Sequence, residues 1–109
     1  MTATTAPAEA VTNVRGLDRI LSSAGRIRIL QYLSCSGEDN LTDIARKTSQ
    51  SYTATARHLD QLVEAGVVQE KNYGRVRIFR LCVEREQVRM LRDLIVGWDP
   101  TVVENGGEA

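Results

Sequence analysis

Residues 41–66 read LTDIARKTSQSYTATARHLDQLVEAG, and the interpretation of that stretch decides the fold. Asn40, just before it, has a side chain that accepts hydrogen bonds from the free amides of a helix start. Asp43, three positions on, makes a loose form of the reciprocal capping box. Leu41, Ile44 and Ala45 then share one face of a short helix. Thr48, Ser49 and Gln50 supply a polar break, and Ser51 stands where a second N-cap is needed. From there Thr55, Leu59, Leu62 and Val63 recur at helical spacing and bury one stripe. Gly66 ends that helix where a left-handed backbone is wanted.

Two helices this short cannot bury their stripes unaided. Joined by about three residues, they cross at a steep angle as a helix-turn-helix. The outer side of the second helix is informative. Residues 48–56 carry no charge, only hydroxyls, amides, small side chains and Tyr52, and Arg57 comes next. Such side chains let a helix N-terminus approach a groove closely, while its amides and hydroxyls bond phosphates. An arginine one turn on reaches a guanine edge or a phosphate. A polar helical hairpin that touches nothing looks the same in isolation, so the weight falls on the segment C-terminal to it.

That segment reads as a β-hairpin: VVQEK from residue 67, a turn at Asn72-Tyr73-Gly74, and the return RVRIFRL. Gly74 takes the positive φ such a turn needs. In the return strand Phe79 and Leu81 share one face, with Val76 and Ile78 on the other. Lys71, Arg75 and Arg77 crowd the tip. Directly after a helix-turn-helix, a basic hairpin is a wing lying on the sugar-phosphate backbone or the minor groove. The expected DNA contacts are therefore Gln50, Ser51, Tyr52, Thr53, Ala54 and Arg57 on the helix, with Gln50 and Ser51 near phosphates. Lys71, Asn72, Arg75 and Arg77 are expected on the wing.

The flanks divide by period. Residues 1–13, rich in Thr and Ala with Pro7, read as a disordered lead, residues 14–98 as one winged-helix domain, and residues 99–109 as a flexible tail after Asp99-Pro100. Val14, Leu17, Ile20 or Leu21, and Ala24 form a first helix, interrupted by Ser22-Ser23 and Gly25. A second runs from about 26 to 33 with Ile27, Ile29, Leu30 and Leu33 apolar and Arg26 and Arg28 outward, and residues 34–39 read as a loop. A last helix, about 84–97, sets Val88, Leu91, Leu94, Ile95 and Trp98 at helical spacing, with Met90 beside them. First and last helices together carry more apolar stripe than one small core needs. Leu17, Ile20, Leu91, Leu94, Ile95 and Trp98 are accordingly expected at a dimer seam.

Composition narrows the function. The formal net charge is zero, which argues against indiscriminate binding to polyanions. Yet residues 46–80 hold seven basic groups against Asp60, Glu64 and Glu70, so basic charge gathers on the candidate DNA-reading segment. The start, MTATTAPAEA, has neither the basic lead nor the apolar centre of a signal peptide. Apolar runs are too short to span a membrane. Two cysteines do not make a disulfide scaffold, and a cytoplasmic location is expected. No nucleophile with a base, phosphate loop or paired carboxylates suggests an enzyme.

In this order, the sequence resembles the ArsR-like winged helix-turn-helix regulators of bacteria and archaea, over about residues 17–81. The markers are RIRIL (26–30), LTDIARKTSQS (41–51), TATARHLDQLVEAGVV (53–68) and GRVRIFRL (74–81). The resemblance implies an α+β, mostly α, winged helix-turn-helix with N- and C-terminal dimerisation helices. It implies a homodimer on double-stranded DNA carrying a palindromic operator, with a recognition helix at about 52–65 in each major groove and a wing at about 69–80. A small-molecule effector is left unnamed, and no membrane partner is implied. A winged helix serving as a protein-interaction module, without operator binding, is the alternative.

The sequence departs from the sensing members of that family. Where metal sensors carry Cys-x-Cys, this chain has Asn40 and Thr42, and its last helix has no histidine. His58, the single histidine, reads as a packing or hydrogen-bonding residue. One His and two separated Cys fall short of the three or four convergent ligands a metal needs, so neither metal nor cofactor is expected. In this fold the segment before the helix-turn-helix often pairs with the return strand of the wing. Cys35 and Cys82 are thereby candidates for a redox pair, with two independent half-buried thiols as the other reading.

Overall fold

The computed structural model describes residues 16–98; the expected lead, Val14 and the expected tail lie outside the described residues. The elements are α1 (Leu17–Ile20), α2 (Ala24–Ser36), β1 (Glu38–Asn40), α3 (Leu41–Lys47), α4 (Tyr52–Glu64), β2 (Val68–Tyr73), β3 (Val76–Leu81) and α5 (Glu86–Trp98). The architecture is α+β and mostly helical, with one three-stranded antiparallel sheet in the order β1-β3-β2.

Hydroxyl chemistry moves two helix boundaries from where periodicity alone puts them. Ser23 is the N-cap of α2, its side chain accepting from the Gly25 and Arg26 amides, so Ala24 opens α2 instead of closing α1. The expected loop at 34–39 is not one. Ser34 donates its hydroxyl to the Leu30 carbonyl at 2.7 Å, which lets a polar residue sit inside the helix. The helix runs on to Ser36 and stops where Gly37 takes φ +89 and bonds the Leu33 carbonyl. Residues 38–40 then pair as β1 with β3.

The hairpin turn also differs from expectation. Tyr73 pairs with Val76, so the loop is Gly74-Arg75, while Asn72 and Tyr73 remain in β2. Gly74, at φ +64, takes the position where a two-residue hairpin loop favours glycine. The two faces of β3 are as expected, Phe79 and Leu81 being buried and Val76 exposed. Opposite residues of an antiparallel pair share a face, so Val68, Glu70 and Asn72 of β2 lie on the face of Leu81, Phe79 and Arg77.

The core collects one stripe from each element: Ile20, Ile29, Leu30, Leu33, Leu41, Ile44, Leu59, Leu62, Val68, Phe79 and Val88 among others. This corrects one dimer-seam assignment. Ile20 is 2% exposed and belongs to the protomer's own core, whereas its neighbour Leu21 is 36% exposed and faces out. Periodicity over a single helical turn does not separate adjacent positions.

Gly25, expected only to interrupt a helix, sits buried in the first turn of α2. A Cβ there would lie 2.3 Å from Gln50 Oε1 and 2.8 Å from His58 Nε2. Gln50 is itself held, donating from Nε2 to the Gly25 carbonyl at 3.2 Å and to Thr48 Oγ1 at 3.0 Å. The start of α2 therefore seats directly on the start of the turn–α4 unit. Gly25→Ala should lower stability by about 1–3 kcal/mol, as overpacked interiors do. Urea unfolding checks this, and a midpoint equal to wild type sinks the assignment.

Candidate nucleic-acid interface

The site is built on three local caps. Asn40 Oδ1 accepts from the Asp43 amide at 2.8 Å, and its Nδ2 donates to Asp43 Oδ2 at 3.2 Å, closing the start of α3. At the other end of α3, the Gln50 amide reaches back to the Ala45 carbonyl at 2.9 Å and the Ser49 amide to Arg46 at 3.2 Å. That closure requires Ser49 in the left-handed region, at φ +58. Ser51 then caps α4, its Oγ accepting from the Ala54 amide at 3.0 Å. The turn between the helices is thus fixed by backbone bonds at Ser49 and Gln50 and by the side-chain cap of Ser51.

Burial of Thr55, Leu59 and Leu62 orients α4 about its axis. The opposite side presents Tyr52, Thr53 and Arg57 to solvent, with Ala54 half-buried between them. Ser51 is exposed at the helix start, next to the free amides of the first turn. Lys71, Asn72, Arg75, Tyr73 and Val76 are all exposed along the wing. Tyr52 is 55% exposed, a large ring left in water at the end of a helix whose other face is core.

Two expected contacts sit differently. Gln50 spends its amide donors on Gly25 and Thr48, so its side chain braces the turn against α2. Arg77 is drawn into ion pairs with Glu70 and Asp60 and has only 32% of its side chain exposed. Asp60 and Glu70 read from sequence as charges, and the part of Asp60 in the site is visible only in the fold. Glu70 has a sequence signal, being on the same face as Arg77 one pair along the hairpin, but nothing in the sequence joins Asp60 to it.

The last helix carries two apolar stripes. Val88 is buried, and Leu91 and Ile95 lie against the core. Met90, Leu94 and Trp98, spaced by four, are 64%, 55% and 83% exposed. Leu17 of α1 is likewise exposed. So the seam residues divide: Leu17, Leu94 and Trp98 are bare, Leu91 and Ile95 half-covered, and Ile20 internal.

Cys35 and Cys82 are not joined in a disulfide. Burial pushes the thiol pKa of each above its ordinary value, which disfavours the reactive thiolate. Among the described residues no group of three or more His, Cys, Asp or Glu is arranged to hold a metal ion. Asn40 is occupied as a cap, and no described helix is long and apolar enough to cross a membrane.

Residues 23–70 match the family model described as bacterial regulatory protein, arsR family. No curated protein sequence matches the chain. Among solved structures, the chain is similar to the homodimeric winged helix-turn-helix DNA-binding domain Mb0332 of Mycobacterium bovis, a possible ArsR-family transcriptional regulator. That likeness has 25% identity and a TM-score of 0.67, over 91% of this chain and 88% of that one. HlyU from Vibrio cholerae N16961 is 19% identical with a TM-score of 0.68, covering 90% of this chain and 97% of that one. The antimony-specific transcriptional repressor AntR is 19% identical with a TM-score of 0.67, covering 97% and 86%.

His58 gives the site a titration. Its Nδ1 is buried without a hydrogen-bond partner among the described residues. Burial, then the Arg26 and Arg57 cations, hold its pKa below the ordinary value. The unfolded chain takes up this proton near pH 6.5, but the folded one resists it, so protons favour unfolding in that window. Stability should therefore fall as pH drops from about 7 to about 5. His58→Gln should flatten that dependence in chemical denaturation, and an unchanged pH profile in the variant would overturn the account.

Proposed function

We propose that the chain is an ArsR-like winged helix-turn-helix regulator, as the match of residues 23–70 and the fold support, and that it binds a palindromic operator as a homodimer. The N-terminal half of α4 enters each major groove, and the wing lies on the backbone or minor groove beside it. The observation that carries this is the division of α4: one side is core, and the other offers Tyr52, Thr53 and Arg57 without a covering element among the described residues. Arg57 reads a base edge or a phosphate, Ser51 and the first-turn amides take phosphates, and Arg75 and Lys71 flank the duplex.

The homodimer rests on the second stripe of α5. A surface helix normally carries one apolar stripe, and a second one left in water marks an interaction face. Met90, Leu94 and Trp98 supply it, with Leu17 at the other end of the chain. A two-fold pair of this kind spaces two recognition helices one helical turn apart, roughly 34 Å.

Selection from a random DNA pool with purified protein should enrich an inverted repeat with half-sites at about that separation. A pool that stays random sinks the reading. On the selected site, Arg57→Ala should cost about 1–3 kcal/mol and relax preference at one position. Arg75→Ala should weaken all sequences alike and lower the logarithmic salt slope by roughly one. Wild-type affinity in both variants would refute the contact assignment. Leu94→Glu should sediment as a monomer at micromolar concentration where the wild type is a dimer, and identical sedimentation of the two counts against the seam.

A further inference from the structure

The inner face of β3, read toward the wing tip, runs Leu81, Phe79, Arg77. The first two are core, and the arginine stands where the core ends. Its Nε donates to Glu70 Oε2 at 2.7 Å and its Nη2 to Glu70 Oε1 at 3.2 Å, a two-pronged grip on the neighbouring strand. Nη2 also donates to Asp60 Oδ1 at 2.9 Å. The guanidinium lies 5.2 Å from the centre of the Phe79 ring, which is fully buried. Asp60 is three positions beyond Arg57 on α4, one helical turn away. A single cation thus joins β2, β3 and the recognition helix.

Resting on the operator-binding reading, the geometry points to Arg77 as a positioning residue: with Glu70 and Asp60 it sets the angle of the wing against α4, so that Arg75 and Arg57 meet one duplex together. Arg77 does not itself contact DNA. Its planar fork suits this work, because a two-pronged pair fixes orientation where a lysine would fix only distance. The arrangement explains two of the three carboxylates in residues 46–80. Asp60 is exposed on the helix that enters the groove, where a carboxylate repels phosphates within a Debye length of about 8 Å. Its contribution to binding is therefore geometric and runs against its own charge.

Charge and geometry then forecast opposite results for Asp60→Asn. Removing an anion, and freeing Arg77 from one partner, would tighten binding to any DNA. Loosening the wing weakens binding to the operator alone. The test is fluorescence anisotropy with the full chain across a salt series, on the DNA selected from the random pool and on a scrambled duplex. Asp60→Asn should lose about two- to fivefold in operator affinity, the effect an exposed ion-pair coupling corresponds to. Scrambled DNA should bind as before or tighter, and Asp60→Glu should recover most of the loss. Arg77→Gln should weaken the operator with an unchanged logarithmic salt slope. Operator binding by Asp60→Asn equal to or tighter than wild type overturns the inference, as does a slope lower by about one in Arg77→Gln, which would assign Arg77 to a phosphate. Should Arg77→Gln fail to fold, the Asp60 pair decides alone. A pool that yields no operator removes the DNA-reading proposal and this inference with it, an outcome distinct from a wild type that binds its operator while Asp60→Asn binds it better.

Discussion

Burial of Thr55, Leu59 and Leu62 is the constraint on which the rest of the structure depends. Thirteen residues of helix have little stability of their own in water, and α4 exists because that stripe meets α2, α3 and the sheet. The same burial fixes the helix about its axis, and the rotation decides which residues remain outside. Thr55 shows how tightly it is set. The residue is fully buried while its hydroxyl donates to the Ser51 carbonyl at 2.8 Å, so a polar residue is accommodated without a stray donor.

The seat beneath α4 is equally particular. Between α2 and the turn there is room for a hydrogen atom and not for a methyl group, which is why a glycine stands at 25. Gln50 and His58 close around that backbone from the other side. Gln50 thus works on the inner side of the helix-turn-helix, and the outer side is left to Ser51, Tyr52, Thr53 and Arg57.

Legibility in the sequence tracks the range of each interaction. Asn40, Ser51 and Gly66 announce their roles because a cap acts over three or four residues, and the structure has each of them as read. The alternation of Val76 to Leu81 gives the faces of β3 for the same reason. The end of α2 is hidden because serine favours loops on average, and only the bond from Ser34 to Leu30 reveals it as helical. Ile20 and Leu21 are adjacent, and one turn of helix offers too little pattern to say which goes inside. Arg77 looks in sequence like another basic residue of the tip, since its partner Asp60 lies seventeen positions away and only the folded chain brings them together. The candidate DNA-binding residues are accessible from sequence as a group, while the inward turn of Gln50 and the ion pairs of Arg77 are not.

The join between α4 and the wing has a mechanical consequence. Gly66 turns the chain at φ +86, the Val67 amide returns to the Leu62 carbonyl at 3.0 Å, and the Val67 carbonyl accepts from Cys82 at 2.9 Å. Helix therefore passes into strand with no slack, and the return strand is tied to the same residue. The helix end and both strands of the wing are thereby tied together at Val67. In the homodimer proposed above, that join makes the distance between the two recognition helices a quantity that a regulating signal could change without reshaping either protomer.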